Sequence, residues 1–564
     1  MRPPSLLTRR LPRGLASRRS LAVAVSLVVV GSVVAVEAGA LSQGASYETS
    51  RTRATAAARP AGLPPKVDFN NDGYEDLVLA APHATTEGKK NAGYLAVVYG
   101  SARGANPGKR QLLSAEGERI PFPARRDARL GQVTAARDLD ADGYTDLAVP
   151  AGPRGRLVVL FGSRSGLTAG QATPESLHAD GSSLAAGDLN GDGNTDLVTL
   201  DSAPSDARSE VAPRPLRVLY GPFNSEGEPR KNSPLAGAPA RTASTSGRDP
   251  HLLAGDLNGD GKDELLQLAP EGAPRTPTRY WHGTTAGPRP SARRLPAATA
   301  ATIGDTDRDG YGDLVLRVAA PGRSGDHDGP GALRIVRGSA KGPTRHGRLI
   351  QRDSPGMPGR DELGDRFGTA LTAGDVDGDG CADLVVGLPA WDEARPKRDE
   401  EGVRGGDGAT ARHRDKGGAH PGRNGAHLGQ ASTGHGHRQA ATGGDGSGGG
   451  APAGGGVLLL RGATKGLSAE GARHFTQEQS AIPGIPERGD LLGAAVTLMD
   501  TNGDRKDDLV MGAPGQDGAE KDSGAVWVVP SSPSGLATRR SWSMGPGAIG
   551  APGTGGGLGA ALGR

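Results

Sequence analysis

A nine-residue acidic loop, followed each time by an apolar run, occurs seven times in this chain of 564 residues. The loop has the pattern D-x-[DN]-x-D-G-x-x-[DE], with one departure at position 6 of the last copy. Successive copies start 49 to 70 residues apart, except for a last interval of 125. The copies begin at Asp68, Asp138, Asp188, Asp256, Asp305, Asp375 and Asp500. Repetition at this spacing predicts one supersecondary unit that is built seven times.

Each loop and its apolar run are followed by a further strand-like run that ends in a small residue, as in GYLAVVYG (93–100) and GRLVVLFG (155–162). Short β-branched runs bounded by glycine are typical of strands. Each unit therefore predicts an inner strand before the loop, two strands after it, and a weaker outer strand. Four strands repeated seven times predict an all-β fold, a seven-bladed β-propeller of four-stranded blades over residues 63–564.

The two ends of the repeat region predict how the ring closes. The first loop is preceded only by GLPPKV, a poor strand, whereas the chain ends in GGLGAALGR (556–564), which resembles the inner strand before the sixth loop. We expect residues 558–564 to complete the first blade. The propeller would then be closed by the C-terminal strand, with no free sheet edge.

Three segments outside the repeats have their own signals. Residues 1–40 carry six arginines and the uncharged run 21–36, which predicts a signal peptide or an N-terminal anchor and hence an exported protein. Residues 41–62 are predicted to be a flexible stalk. Residues 401–456, rich in glycine and histidine, are predicted to be a disordered insertion within blade 6. The sequence leaves open the export route, the cleavage of the leader and the role of the insertion.

Charge and composition exclude one class of function. Without residues 1–40, the chain has 60 lysines and arginines and 62 aspartates and glutamates. This near balance of charge excludes a basic chain that binds nucleic acid. Aromatic residues make up only 3%, so the core must be built from aliphatic side chains. Cys381 is the single cysteine, so no intrachain disulfide can form, and we interpret it as an inert thiol.

The acidic loop has the chemistry of a cation site. Carboxylates at positions 1, 3 and 5 can surround one cation, glycine at position 6 permits a sharp turn, position 7 offers its carbonyl, and the acid at position 9 closes the shell. Oxygen ligands without histidine or thiolate favour Ca²⁺ or Mg²⁺ over zinc, and the flexible loop in an exported protein favours Ca²⁺. The candidate ligands of loops 1 to 4 are Asp68, Asn70, Asp72, Tyr74, Asp76, Asp138, Asp140, Asp142, Tyr144, Asp146, Asp188, Asn190, Asp192, Asn194, Asp196, Asp256, Asn258, Asp260, Lys262 and Glu264. Those of loops 5 to 7 are Asp305, Asp307, Asp309, Tyr311, Asp313, Asp375, Asp377, Asp379, Cys381, Asp383, Asp500, Asn502, Asp504, Lys506 and Asp508.

Two other interpretations of the loop are an EF-hand and a solvated turn. An EF-hand needs glutamate at position 12, but position 12 is never acidic here: Leu79, Val149, Thr199, Gln267, Leu316, Val386 and Met511. A solvated Asp/Gly turn is the alternative for any single loop, but seven copies in register favour up to seven Ca²⁺ sites. Loop 7 is the doubtful site, because Arg505 replaces the glycine at a cost of about 1 kcal/mol.

The loops together with Phe367-Gly368 before loop 6 and Gly512-Ala513-Pro514 after loop 7 resemble the FG-GAP repeat of integrin alpha-subunit propellers, related to repeats in exported bacterial proteins. The resemblance covers residues 63–564 apart from 401–456. It implies a seven-bladed propeller with Ca²⁺ in hairpin loops on one face. The chain departs from the family in two ways. The Phe-Gly pair precedes the loop only in repeat 6. Every blade carries an acidic loop, whereas integrins bind Ca²⁺ in only some blades.

These features predict an exported calcium-binding propeller that acts as a protein- or glycan-binding or adhesion module, secreted or at the cell surface. The expected partner is an extracellular protein or glycan of unknown identity, bound by a monomer, with membrane contact only through an uncleaved leader. A propeller-based hydrolase and a purely structural envelope protein remain alternatives. Neither G-x-S-x-G nor H-E-x-x-H occurs, so we expect no enzyme. The tripeptide Arg488-Gly489-Asp490 is interpreted as part of a strand entry rather than as an adhesion motif.

Overall fold

The computed structural model describes residues 66–563, apart from 116, 152–155, 178, 202–214, 239–250, 271–275, 321–330, 359–365, 390–453, 479–480 and 554. All seven acidic loops lie within the described residues. The predicted leader (1–40), the stalk (41–62) and nearly all of the predicted insertion (401–456) lie outside them and stay predictions.

The described strands form seven four-stranded antiparallel sheets, as the repeats predicted. From the inner to the outer strand, blade 1 consists of β28 (Ala561–Gly563), β1 (Leu77–Ala81), β2 (Tyr94–Val98) and β3 (Arg110–Leu113). Blades 2 and 3 consist of β4 (Ala135–Arg137), β5 (Asp146–Pro150), β6 (Leu157–Leu160) and β7 (Gln171–Ala172), and of β8 (Ala179–Gly187), β9 (Asp196–Asp201), β10 (Leu216–Phe223) and β11 (Pro229–Pro234).

Blades 4 and 5 consist of β12 (Leu252–Gly255), β13 (Glu264–Gln267), β14 (Arg279–His282) and β15 (Arg289–Pro290), and of β16 (Ala300–Gly304), β17 (Asp313–Ala319), β18 (Gly331–Val336) and β19 (Gly347–Ile350). Blades 6 and 7 consist of β20 (Leu371–Gly374), β21 (Asp383–Leu388), β22 (Gly456–Leu460) and β23 (Arg473–Phe475), and of β24 (Ala495–Met499), β25 (Asp508–Ala513), β26 (Ala525–Val529) and β27 (Trp542–Met544).

Helical structure is confined to short segments of the described chain. These are the four-residue α1 (Pro546–Ile549) and two 3₁₀ turns, Glu175–Leu177 and Thr538–Arg540. None of the helices in the described ranges is long and apolar enough to cross a membrane.

The hydrophobic core lies between the blades rather than within one of them. Seven clusters of buried side chains each join two neighbouring blades, including the pair formed by blades 7 and 1. The second and third strands of a blade are covered on both faces, so β1 and β2 are buried along their whole length. This explains why these strands are continuous apolar runs in the sequence instead of alternating ones.

The C-terminal strand closes the ring, which confirms the prediction for residues 558–564. β28 pairs with β1 in the register Val78↔Gly563, Leu79↔Leu562 and Ala80↔Ala561. The backbone N–H of Glu75 in blade 1 also donates to the carbonyl of Asp500 in blade 7, at 3.1 Å. First and last repeats are therefore held by sheet pairing, by a shared core cluster and by a bridging hydrogen bond.

Candidate metal centres

Six of the acidic loops connect the first and second strands of their blade, whereas loop 1 precedes β1, the second strand of blade 1. The carboxylates of each loop accept hydrogen bonds that fold it. The position 1 carboxylate accepts a hydrogen bond from the N–H of position 6 in all seven loops, at 2.8 to 3.1 Å, as for Gly73 with Asp68 at 2.8 Å. The position 5 carboxylate accepts one from the N–H of position 7 in all seven, at 2.8 to 3.1 Å. Two of the predicted ligand positions therefore also shape the turn.

Two positions of the loop adopt a left-handed backbone. At position 6 the six glycines have positive φ, and Arg505 has the same conformation with φ 66°. Position 4 was missed by the sequence analysis: Asn71, Ala141 and Arg308 have φ of 52°, 64° and 59°, and the other four loops have glycine there with positive φ. Glycine at position 4 in four of seven copies was the available signal.

The acid at position 9 is buried and fastens the blade. Asp146, which is 0% exposed, accepts hydrogen bonds from the backbone N–H of Leu139 at position 2 and of Gly162 at the end of β6, both at 2.7 Å. The same pair of contacts recurs at loops 1, 3, 5 and 6. A predicted ligand thus has a structural role that the sequence pattern did not reveal.

Burial raises the pKa of every position 9 carboxyl group, because a charged carboxylate is poorly solvated there. The pKa rises to about 8 for Asp146 and Glu264, to about 7 for Asp76, Asp196 and Asp383, and to about 6 for Asp313 and Asp508. Backbone N–H donors lower these pKa values and neighbouring loop acids raise them further. An added cation would favour the ionised form of these groups.

Acidic side chains converge in three loops. The groups are Asp138, Asp140 and Asp146 in loop 2, Asp305, Asp307 and Asp309 in loop 5, and Asp375, Asp377 and Asp379 in loop 6. Within each group, one carboxylate oxygen per residue lies within 4.8 Å of the others. These are the three loops with aspartate rather than asparagine at position 3.

In each of these three loops one buried carboxylate oxygen has no hydrogen-bond partner. The atoms are Oδ1 of Asp138, Oδ1 of Asp307 and Oδ1 of Asp377. Buried carboxylate oxygens normally accept hydrogen bonds or bind a cation, because losing water without a replacement is costly. Oxygen-only groups of this kind suit a hard divalent cation, so the residues of loops 2, 5 and 6 fit such an ion.

Asparagine at position 3 gives a different arrangement. In loops 3, 4 and 7 its side-chain amide donates to the position 9 carboxylate, as for Asn258 Nδ2 with Glu264 Oε1 at 2.7 Å. Loops 4 and 7 also place a lysine against their own position 5 acid, with Lys262 Nζ 3.0 Å from Asp260. In these loops the asparagine amide and, in loops 4 and 7, the lysine ammonium group offset part of the negative charge that a bound cation would otherwise offset.

Arginines approach three of the other sites. Arg230 pairs with Asp192 in loop 3, Arg337 with Asp307 in loop 5 at 2.7 Å, and Arg461 with Asp377 in loop 6. The carboxylates of loop 2 pair with no lysine or arginine of the described chain. Loop 2 therefore combines a converging acid group, an unpartnered oxygen and no internal counter-charge.

Two residues singled out in the sequence occupy places that limit their chemistry. Burial, and then the neighbouring Asp379 carboxylate, raise the pKa of the Cys381 thiol to about 11, which agrees with an inert thiol. Asp490 is 2% exposed and accepts a hydrogen bond from the N–H of Glu487 at 2.7 Å, in the segment before β24. The Arg-Gly-Asp tripeptide is therefore part of the strand entry, as expected.

Comparisons with known proteins agree with the repeat structure. The FG-GAP repeat family matches residues 66–98, 367–410 and 492–529, and the FG-GAP-like repeat family matches residues 138–199. Phosphatidylinositol-glycan-specific phospholipase D of Homo sapiens is 32% identical over 147 residues, which cover 23% of this chain and 17% of that protein. Integrin alpha pat-2 of Caenorhabditis elegans is 33% identical over 109 residues, 19% of this chain and 8% of that protein.

A solved structure of a lectin from Agrocybe aegerita that recognises non-reducing terminal N-acetylglucosamine also matches, with a TM-score of 0.31 and 15% identity over 56% of this chain and 74% of that one. The chain matches at most about a fifth of the length of the phospholipases. The matched repeats coincide with hairpins of blades 1, 2, 3, 6 and 7. The chain therefore carries segments that match the FG-GAP repeat, within a seven-bladed β-propeller.

Proposed function

We propose that this protein is an exported, calcium-stabilised propeller that acts as a binding or adhesion module, secreted or at the cell surface. One observation carries the proposal: in three loops, carboxylates converge around a buried oxygen that has no partner. A rigid ring of blades then presents its loops to an extracellular protein or glycan. The binding role rests on the resemblance to integrin alpha-subunits rather than on a defined ligand pocket.

Calcium would act on the hairpins. Asp138, Asp140 and Asp146 would hold it in loop 2, and the position 1, 3 and 5 acids would hold it in loops 5 and 6. The ion supplies positive charge, which offsets repulsion among these acids. Because the position 9 acid fastens the third strand of the same blade, stabilising loop 2 also stabilises the contact between β5 and β6.

The calcium proposal is tested by thermal unfolding of the full chain, titrated from chelator to millimolar Ca²⁺. We expect a saturable rise in the melting temperature, since a ligand that binds only the native state stabilises it. The variant Asp140→Asn/Asp307→Asn/Asp377→Asn should lose most of this rise. These changes spare position 1, whose replacement by alanine would also break the turn.

The matched control is Asp353→Asn/Glu470→Gln/Glu520→Gln, which removes three exposed acids outside the loops. This control should keep the full response to Ca²⁺. An unchanged melting temperature in folded, metal-free wild-type protein would refute the calcium proposal. An equal loss in the triple variant and the control would show that the response reflects net charge instead.

The binding role is tested on panels of immobilised glycans and extracellular matrix proteins, with the full chain in Ca²⁺ and in chelator. Saturable binding that weakens in chelator and in the triple loop variant supports a calcium-stabilised module. Absence of binding by folded, calcium-loaded protein would favour the structural envelope role. Light scattering during gel filtration tests the proposed monomer.

A hydrolase is the alternative, and the matches to enzymes named phosphatidylinositol-glycan-specific phospholipase D favour it over other activities. We propose instead that the chain has no catalytic activity, because the converging acid groups among the residues that the structure describes all belong to the repeated loops. Hydrolysis of a chromogenic phosphodiester, carboxyl ester or glycoside that survives repurification would contradict this proposal.

A further inference from the structure

A basic cleft lies between the outer parts of blades 4 and 5. Its volume is about 710 Å³, within the range of pockets that hold small ligands. Blade 4 contributes residues around β15, and blade 5 contributes β18 and the segment before β19. We call it the blade 4–5 cleft and define it by His282, Arg293, Arg294, Arg334, Arg345 and His346.

The charged residues that line this cleft are all basic, and the carboxylate of Glu264 in loop 4 lies beside one of them, 3.9 Å from His282 Nδ1. Four arginines and two histidines line it, and none of its thirteen lining residues, all of them in the described part of the chain, is acidic. No carboxylate of the described residues forms an ion pair with any of the four arginines, whereas Arg337 close by pairs with Asp307. Uncompensated guanidinium groups that share one concave surface repel one another and favour an anion between them.

Two of the arginines are held in place by backbone carbonyl groups. Arg334 Nη1 donates to the carbonyl of Gly347 at 3.1 Å, and Arg293 Nη2 lies 3.4 Å from the carbonyl of Lys341. The Nε atom of Arg334 is buried and has no hydrogen-bond partner. A buried donor without a partner is uncommon in a folded protein, and an acceptor that reached Nε would offset the cost of its burial.

The other two arginines are free to approach a ligand. Arg294 and Arg345 are exposed, one on each side of the cleft. A guanidinium group binds phosphate, sulfate or carboxylate through two parallel hydrogen bonds, which a lysine cannot reproduce. Fixed arginines on the wall and exposed arginines on either blade are an arrangement suited to more than one oxyanion group.

We infer that the blade 4–5 cleft binds a small ligand that carries two or more oxyanion groups. This goes beyond the proposed calcium function, because none of the six residues belongs to an acidic loop. The shared chemistry is that of phosphate, sulfate and carboxylate groups, which phosphorylated metabolites, sulfated glycans and polycarboxylates all present. The experiment separates these sources.

Isothermal titration calorimetry with three probes tests the inference: pyrophosphate, the trisulfated disaccharide of heparin, and citrate. The full chain is used free of divalent cations, since pyrophosphate and citrate bind Ca²⁺, and the disaccharide titration is repeated in Ca²⁺. We expect at least one probe to bind at a single site with a dissociation constant below about 1 mM at low ionic strength. The probe that binds identifies the source of the oxyanions.

The variant Arg294→Gln/Arg345→Gln should weaken that binding about tenfold or more, as expected when charge-assisted hydrogen bonds are lost. The matched control Arg103→Gln/Arg164→Gln removes two exposed arginines from blades 1 and 2 and should leave the affinity within about twofold. Both variants should melt like the wild-type protein. No binding of any probe, or equal weakening in variant and control, would overturn the inference.

Discussion

The residue at position 3 decides whether an acidic loop supplies its own hydrogen-bond donor to its buried acid or would need a bound cation. At position 3, asparagine in loops 3, 4 and 7 donates to the buried acid of its own loop, whereas aspartate in loops 2, 5 and 6 adds a further carboxylate. Loops of one pattern therefore differ in their need for a cation. The difference depends on a single atom, nitrogen or oxygen, in the position 3 side chain.

Replacing aspartate by asparagine at position 3, or the reverse, should change how the melting temperature responds to Ca²⁺. Asp140→Asn in loop 2 is expected to raise the melting temperature in chelator and to reduce the further rise on adding Ca²⁺, because it removes one of the repelling acids. The reverse change, Asn258→Asp in loop 4, should lower the melting temperature in chelator and increase the response to Ca²⁺. Thermal unfolding by circular dichroism measures both. Shifts of the same sign in the two variants would contradict this account.

Arg505 holds a left-handed conformation that glycine adopts in the other six loops. Arg505→Gly should therefore stabilise the protein by about 1 kcal/mol, the usual cost of this conformation for a side chain with a Cβ atom. The converse change, Gly193→Arg in loop 3, should destabilise it by a similar amount. Chemical denaturation measures both free energies of unfolding. A destabilised Arg505→Gly variant would show that the arginine side chain contributes more than its backbone costs.

At the scale of the strands, hydrogen bonds link neighbouring acidic loops at five of the seven junctions between them. Thr145 at position 8 of loop 2 donates its N–H to the carbonyl of Asp68 in loop 1, at 3.1 Å, and Asp263 in loop 4 accepts from the N–H of Asp188 in loop 3, at 2.9 Å. Position 8 varies in sequence, so its role could not be predicted from the repeat pattern. Its backbone N–H makes the contact in five loops, and the acidic side chains of Glu75, Asp263 and Asp507 accept a second hydrogen bond from the position 1 N–H of the neighbouring loop.

The small residue that ends each third strand is required by this packing. A Cβ atom on Gly162 would lie 2.3 Å from the carbonyl oxygen of Thr145. Gly162→Ala should therefore lower the free energy of unfolding by about 1–3 kcal/mol, as overpacking does elsewhere. Gly547→Ala is the matched control, because nothing lies within 4 Å of its Cβ position. Equal effects of the two substitutions in chemical denaturation would rule out the close contact as the cause.

For the whole molecule, the seven buried position 9 acids make stability depend on pH. Their pKa values rise from about 4 in an unfolded chain to about 6 to 8 in the fold. The folded protein without metal thus binds more protons than the unfolded chain between these values. The contribution of these groups to stability should therefore be fully present below about pH 4 and be lost as the pH rises towards about 8.

This pH dependence is measured as the melting temperature in chelator between about pH 5 and pH 8, a range that includes the shifted pKa values of about 6 to 8. Ca²⁺ at saturation should flatten the decline, because a cation favours ionised acids. The Asp146→Asn variant, which keeps an acceptor for Gly162, should decline less steeply than the wild-type protein in chelator. A melting temperature that rises with pH in chelator would show that other groups dominate.

Much of the architecture follows from the sequence because the same local signal is repeated. The second and third strands, such as β1 and β2, are buried on both faces and are continuous apolar runs, so they were predictable. Outer strands are short and polar, as in the two-residue β7 and β15, and carry little signal. The orphan strand at 561–563 was predictable only by comparison with its copies in other repeats.

The sequence alone determined the repeat number, the four-stranded blade, the closing strand and the positions of the acidic loops, because these depend on local pattern and on repetition. Only the tertiary structure decided that the position 9 acid fastens its blade, that loop 2 lacks an internal counter-charge, and that four arginines of blades 4 and 5 share one cleft. These features join residues that lie far apart in the chain or on different blades. Their distances depend on how the blades pack around the ring, which no local pattern specifies.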